Sequence, residues 1–238
     1  MNSSDDFYTK FASEYANYAS GKKVYISAVN SLICKESDSP LNIVDVGSGD
    51  GLRGKSIADS LDVRDVTFLD NSDGMLALSK QIEGVSVNKV DITSSEFIPG
   101  RKYDLVLCLW NVLGHISTIE GRKNAVLNLA KLLTNNGVLF IDVNNRYNSS
   151  HYGKMAVAKN MIHDVFKAPN LVGNFDLCIN IESCTIKTSV HIFNPLEIED
   201  LIESSGMVIE RKWIVNYDTG KTEKHFWNGQ LLFKIKPR

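Results

Sequence analysis

Short apolar runs alternate with amphipathic stretches from residue 41 onward. The runs of strand length are Leu41–Val46, Val66–Leu69, Val85–Val90, Tyr103–Leu109 and Val138–Val143. Strands that are apolar on both faces are typical of a parallel sheet covered by helices on each side. The amphipathic stretch Arg122–Leu133 is predicted to be a helix that Asn135–Gly137 terminates in a left-handed turn. The pattern therefore predicts a doubly wound, mostly parallel α/β sheet.

Polar residues stand at or near the ends of the predicted strands. They include Asp45, Asp70, Asp91 and Asn144–Asn145. Right-handed crossover connections place the carboxyl ends of parallel strands at one edge of the sheet. Doubly wound sheets bind ligands at that edge, so we expect these side chains to converge on one ligand crevice.

Two segments outside the predicted strands are expected to cover this crevice. Residues 1–40, here called the lid, are predicted to be helical. Their aromatic residues share one helix face at Phe7, Tyr8, Phe11, Tyr15 and Tyr18. Residues 144–193, here called the cap, combine a predicted helix with two extended runs that can form a hairpin. Ordinary helix packing and a solvated loop are the alternatives for these segments.

Composition limits the class of protein. The 238 residues include 26 basic and 28 acidic side chains, which suits one globular domain and offers no broad basic field for a nucleic acid. Residues 1–10 lack the apolar stretch of a signal peptide, and no apolar run is long enough to span a bilayer. The four cysteines lack metal-site spacing. We expect a cytoplasmic protein with no membrane contact and no metal, while a homodimer remains open.

A glycine loop follows the first predicted strand at Gly47-Ser48-Gly49. Glycine permits a sharp turn and a close approach of ligand to backbone, and the helix start offers free N–H groups. The dinucleotide fingerprint would need a third glycine where Leu52 stands. Asp70 ends the next strand, where a carboxylate can accept hydrogen bonds from ribose hydroxyls. That ribose is common to NAD and S-adenosylmethionine (SAM), so Asp70 does not separate the two cofactors.

Six motifs, in order along residues 41–207, resemble those of class I SAM-dependent methyltransferases. They are VDVGSGDG (44–51), FLDNSDGML (68–76), VDI (90–92), YDLVLCLWNVLGHI (103–116), NNGVLFIDV (135–143) and FNPLEIEDLIESSGM (193–207). The resemblance implies a seven-stranded Rossmann-like sheet with its final strand antiparallel. It also implies that SAM is the cofactor.

The resemblance further implies a set of cofactor contacts. The glycine loop would hold the methionine part of SAM, Asp70 the ribose, and Met75 and Asp91–Ile92 the adenine. Leu109–Asn111 would line the sulfonium side. The full expected cofactor set is Asp45, Gly47, Ser48, Gly49, Asp70, Asn71, Met75, Asp91, Ile92, Leu109 and Trp110.

Residues near the expected methyl group are candidates for acceptor contact. His115 follows the fourth strand and can act near neutral pH, either as a base or as a contact, with a structural helix cap as the alternative. Tyr15 and Asn111 complete the expected catalytic set. The expected acceptor contacts are Tyr8, His115, Asn145, Arg146, Tyr147 and Tyr152.

Methyl transfer to a small-molecule acceptor is the function that these features favour. The cap resembles that of small-molecule N-methyltransferases, which implies an amine nitrogen as the nucleophile. A tRNA- or RNA-modifying methyltransferase is one alternative, because residues 115–133 resemble such enzymes. The overall charge of −2 argues against a nucleic-acid partner. An NAD(P)-dependent oxidoreductase and a non-catalytic SAM-binding protein are the others.

Overall fold

The computed structural model describes residues 8, 20–166, 173–181 and 184–238. Its α-helices are α1 (Lys23–Glu36), α2 (Leu52–Ser60), α3 (Asp73–Ser79), α4 (Ile119–Lys131), α5 (Ser149–Tyr152), α6 (Lys154–Phe166) and α7 (Pro195–Ser204). Its strands are β1 (Asn42–Val46), β2 (Asp65–Asp70), β3 (Val85–Lys89), β4 (Tyr103–Cys108), β5 (Leu133–Val143), β6 (Asn174–Ile181), β7 (Cys184–His191), β8 (Met207–Val215), β9 (Thr222–Glu223) and β10 (Gln230–Pro237). Short 3-10 helices span Val112–His115 and Phe226–Asn228.

The main sheet has the strand order β3-β2-β1-β4-β5-β10-β8-β9. Strands β1 to β5 pair in parallel, while β10 runs antiparallel to both β5 and β8. The doubly wound sheet and its antiparallel final strand are therefore confirmed. The sheet exceeds the expected seven strands because Thr222–Glu223 adds a short edge strand beside β8.

Apolar layers cover both faces of the sheet. Neighbouring residues of a strand point to opposite faces, so Ile43 packs with Tyr25 and Ile57 from the helices of one layer. Val44 packs on the other face with residues of α4 and α7 such as Leu129. Burial on both sides explains why these strands are apolar at nearly every position.

The predicted end of helix α4 is wrong. The helix ends at Lys131, and Asn135–Gly137 lie inside β5 in extended conformation. Gly137 serves close packing instead, since a Cβ there would stand 2.8 Å from the carbonyl oxygen of Tyr103.

The cap forms a separate unit beside the sheet. Strands β6 and β7 pair as the predicted antiparallel hairpin, and α6 precedes them in the chain. The chain leaves the sheet at Asn145 and returns at Phe193, and these two residues form a parallel bridge. The Arg146 N–H donates to the Phe193 carbonyl at 2.7 Å, and the Phe193 N–H donates to the Asn144 carbonyl at 3.1 Å. Both ends of the cap are thus tied together at the end of β5.

None of the helices in the described ranges is long and apolar enough to cross a membrane. The single-domain organisation, the cytoplasmic location and the possible homodimer stay predictions from the sequence.

Candidate active site

A cleft of about 1420 Å³ lies at the carboxyl edge of the parallel strands. The loops after β1 to β5 form one wall, and the cap forms the other. The expected site residues that line this cleft are Tyr8, Gly47, Gly49, Asp70, Asn71, Met75, Asp91, Ile92, Leu109, Trp110, Asn111, His115, Arg146 and Tyr152. Residues that the sequence scatters over four strand ends and the cap are therefore brought together.

The glycine loop is shaped by backbone conformations that favour glycine. Gly47 and Gly49 have φ angles of +69° and +59°. A Cβ on Gly47 would stand 2.6 Å from the side chain of Val112. The Gly47 N–H donates to the carbonyl of Leu69 at 2.7 Å, which joins this loop to the end of β2.

The Asp70 carboxylate connects two loops at the cofactor end of the cleft. Its Oδ2 accepts a hydrogen bond from the Gly49 N–H and its Oδ1 accepts one from the Ser72 N–H, each at 2.9 Å. Asp91, after β3, accepts from the Thr93 N–H at 2.9 Å and lines the same end of the cleft. This end therefore combines glycine backbone with two carboxylates.

The loop after β4 contains two successive non-glycine residues with left-handed backbone. Trp110 and Asn111 have φ angles of +60° and +63°, a conformation that costs energy and persists only where the surroundings enforce it. The surroundings do enforce it here, because the Asn111 side chain accepts from the Asn144 N–H at 3.0 Å and donates to the His191 carbonyl at 3.4 Å. Asn111 was expected to be catalytic, but its amide instead joins β5 to the cap while lining the cleft.

His115 ends the 3-10 helix that follows this loop and faces Tyr8. Its Nε2 lies 2.9 Å from the Tyr8 hydroxyl, and the two rings meet edge to face. Its Nδ1 is buried without a hydrogen-bond partner among the described residues. Loss of hydration lowers the pKa of His115 to about 4, so the imidazole is neutral at physiological pH.

Comparisons with known proteins agree with this arrangement. Residues 44–139 match the family model of a methyltransferase domain. A ubiquinone biosynthesis O-methyltransferase of Rickettsia canadensis is 26% identical over 187 residues, which is 78% of this chain and 70% of that protein. The matched domain and this relative support the assignment of the chain as a class I SAM-dependent methyltransferase.

Two solved structures have the same methyltransferase fold. A SAM-dependent methyltransferase from Clostridium acetobutylicum superposes with a TM-score of 0.67 at 16% identity, covering 97% of this chain and 98% of that one. A SAM-bound amino pentose methyltransferase from Micromonospora echinaspora gives a TM-score of 0.62 at 16% identity, covering 94% and 96%.

The residues at the cofactor end of this methyltransferase suit the parts of SAM. The glycine loop leaves its backbone open to a ligand, and a Cβ on Gly47 would close the space against Val112. Carboxylates at Asp70 and Asp91 suit a cationic cofactor with a ribose and an adenine amino group. The hydroxyl of Ser48, buried in this loop, has no hydrogen-bond partner among the described residues. These features fit SAM.

Two expected cofactor residues do not line the cleft. Asp45 is buried in β1 against α2, so close that a Cβ on Gly54 would stand 2.5 Å from its Oδ2. Burial raises the pKa of Asp45 to about 7, although Arg53 opposes the shift. Ser48 is also buried behind the lining residues. The Asp45 side chain supports the loop from behind, against α2, whereas the Ser48 hydroxyl makes no hydrogen bond within the described residues.

Two expected acceptor residues serve the scaffold instead. Asn145 is fully buried; its N–H donates to Gln230 at 2.6 Å and its side chain donates to the Gly229 carbonyl at 2.9 Å. The Tyr147 hydroxyl donates to Asp164 on α6. Neither lines the cleft, because strand-end polar groups here satisfy buried backbone and cap contacts. Tyr15, expected to be catalytic, lies outside the described residues.

Arg146 lies at the junction of cap and cleft. Its guanidinium is 1% exposed and pairs with Asp164 at 2.6 Å. It also donates to the Ile192 carbonyl at 3.2 Å. Its charge is therefore compensated within the protein. Its contacts join α6 to the end of the cap at Ile192.

The cap contributes cleft residues that sequence reasoning missed. Lys159, Asn160 and His163 line the cleft from α6, and Asp176 lines it from β6. Lys22, just before α1, lines it from another side. Helical periodicity shows that such residues share a face, but only the packing of α6 shows that this face meets the cleft.

Proposed function

We propose that this methyltransferase transfers the methyl group of SAM to an amine nitrogen of a small molecule. The observation that supports it best is the state of His115, which is half-buried, neutral and bonded to Tyr8 through Nε2. A general base works best when its pKa is near the working pH. A pKa of about 4 makes His115 a poor base for an alcohol.

An amine acceptor makes a different demand on this residue. An amine that enters as the free base already has the lone pair that attacks, so it needs no strong base. The uncharged Tyr8–His115 pair lines the cleft and can contact the amine without removing a proton from it. Tyr8 would fix the ring through its bond to Nε2.

Binding and positioning account for the catalysis in this proposal. SAM supplies an activated methyl group when it is bound. The glycine loop, Asp70 and Asp91 would hold it, while Leu109 and Trp110 would lie beside its sulfonium. Placing two reactants in line inside a closed site can lower a barrier by up to about 7–11 kcal/mol. The cap would exclude water and leave room for a small molecule.

A hydroxyl acceptor is the second candidate. It is favoured by the similarity to the ubiquinone biosynthesis O-methyltransferase, which is 26% identical over 78% of this chain. A phenol that ionises before it binds would not need His115 as a base, so phenols are the hydroxyl acceptors to compare with amines.

The deciding experiment offers both nucleophiles on one skeleton. A panel of aminophenols is incubated with the full-length protein and SAM, S-adenosylhomocysteine is quantified, and each product is assigned by NMR. N-methyl products support the proposal, whereas O-methyl products alone would replace it with the second candidate. Parallel calorimetric titrations with SAM and NAD⁺ test the donor, and NAD⁺ is expected not to bind.

A further inference from the structure

Charged side chains are distributed unevenly along the cleft. The cofactor end contains the carboxylates of Asp70 and Asp91. The cap contributes the ammonium group of Lys159 from α6 and the carboxylate of Asp176 from the hairpin, while the Lys22 ammonium lies over the ring of Tyr217. Arg146 adds no net charge to the cap, because Asp164 neutralises it.

Helix α6 is held in one rotational orientation. Asp164 pairs with Arg146 at 2.6 Å, and the Asn160 side chain donates to the Arg146 carbonyl at 3.4 Å. Lys159 and His163 each precede one of these anchors by one residue, so they occupy the neighbouring stripe of the helix. They are four residues apart and therefore point in the same direction.

Lys159 and His163 have no side-chain partner among the residues that the structure describes. Neither Lys159 nor His163 forms an ion pair or hydrogen bond with any residue in the described ranges. Ala156, one turn earlier, also lines the cleft and has only a methyl side chain, which leaves space beside the pair. An ammonium group and an imidazole N–H, both donors, thus face the open cleft.

We propose that Lys159 and His163 bind an anionic group of the acceptor, a phosphate or a carboxylate. The inference rests on the proposed function and specifies its substrate class: an amine that also bears an anion. Ammonium and imidazole donors suit such oxygen anions. The part of the cleft lined by Asp70 and Asp91 would receive the cationic cofactor, and the part lined by Lys159 and His163 would receive the anion of the acceptor.

The test uses inorganic phosphate and acetate as probes. Each is titrated into the full-length protein saturated with S-adenosylhomocysteine, at constant ionic strength, and binding is followed by NMR. Lys159→Met is expected to weaken binding at least about threefold, since the contact is partly exposed to solvent. His163→Leu should weaken it as well. Asp176→Asn should tighten binding, because it removes the opposing charge.

Lys154→Met is the matched control, because Lys154 belongs to the same helix but does not line the cleft. It should bind both anions as the parent protein does, and all variants should keep their affinity for S-adenosylhomocysteine. Stronger binding of phosphate would assign a phosphate ester, and stronger binding of acetate a carboxylate. Absence of binding to the parent protein, or equal binding by Lys159→Met, would overturn the inference.

This outcome is separate from that of the proposed function. The anion titration requires no turnover, whereas the aminophenol assay reads the methylated atom directly. If the protein binds phosphate but methylates only oxygen, the proposed anion site stands and the proposed amine acceptor is wrong.

Discussion

The main-chain N–H of Gly49 donates a 2.9 Å hydrogen bond to Oδ2 of Asp70. This bond joins the loops that follow β1 and β2, so one carboxylate both shapes the glycine loop and faces the cleft. A change at Asp70 should therefore alter cofactor binding in two ways, through a lost contact and through a loosened loop.

Asp70→Ala is expected to weaken SAM binding about tenfold, roughly the value of one hydrogen-bonded contact to a charged group. Calorimetric titration with SAM measures this effect. Asp65→Asn is the matched control, because Asp65 begins the same strand and is paired with Arg101 at the surface. Unchanged affinity in a folded Asp70→Ala protein would remove Asp70 from the cofactor site.

His115→Ala should lower kcat about tenfold or more while the Kd for SAM stays within about twofold, since the imidazole is expected to orient the acceptor. Tyr8→Phe removes the hydroxyl bonded to Nε2 and should lower kcat by a smaller factor. Steady-state kinetics with the best acceptor measures both variants. If His115→Ala retained full turnover, His115 would be part of the scaffold.

The pH dependence of stability gives a second measure of His115. Its folded pKa is about 4, below the unfolded value of about 6.5. The unfolded chain therefore binds more protons between these two pH values. As a result, His115 does not lower the free energy of unfolding above pH 6.5, and it lowers that free energy progressively as the pH falls toward 4. Urea unfolding at several pH values should show a smaller loss in this range for His115→Gln. Parallel curves for the two proteins would argue against a half-buried, neutral imidazole.

Asp45 should make the free energy of unfolding depend on pH in the opposite direction from His115. Its pKa of about 7 lies above the unfolded value of about 3.8, so the folded state holds the extra proton. Stability linked to Asp45 is complete below pH 4 and is lost as the pH rises through 7. Asp45→Asn should therefore be about 1–3 kcal/mol more stable than the parent at pH 8. The two proteins should differ least near pH 4, and a difference that does not change with pH would refute this account.

Gly114 is expected to tolerate no side chain. A Cβ there would stand 2.1 Å from Asn111 Nδ2 and 2.4 Å from the His191 carbonyl. Gly114→Ala should lower the free energy of unfolding by about 1–3 kcal/mol and reduce turnover, because it displaces the loop that ends in His115. Gly100→Ala is the control, because an added Cβ there would lie within 4 Å of no atom beyond its chain neighbours, and it should change stability by less than about 0.5 kcal/mol. Thermal unfolding of the Gly114→Ala and Gly100→Ala variants measures the difference in stability.

The sheet could be predicted from the sequence because strands that are buried on both faces are apolar at nearly every position. Tyr103–Leu109 was expected as a strand, and β4 spans Tyr103–Cys108. The residues at the strand ends were harder to assign, since a polar group there can face a ligand or satisfy nearby backbone. Asn145 does the latter, with partners at Gln230 and Gly229 that are distant in the chain.

The residues by which the cap lines the cleft could not be predicted from the sequence. Which stripe of α6 faces the cleft depends on the ion pair between Arg146 and Asp164, a tertiary contact with no local signature. Lys159 and His163 were missed for that reason. The glycine loop and Asp70, by contrast, were found because their roles follow from their position at consecutive strand ends.

The bridge between Asn145 and Phe193 has a consequence for how enzymes of this kind diversify. A segment that departs from and rejoins the framework at one point can change in length or composition without moving the strands that flank it. The cap, which we propose chooses the acceptor, can therefore change in evolution while the loops proposed to bind SAM stay the same. A chimaera that exchanges residues 146–192 for the equivalent stretch of another methyltransferase should inherit a new acceptor and keep its old affinity for SAM.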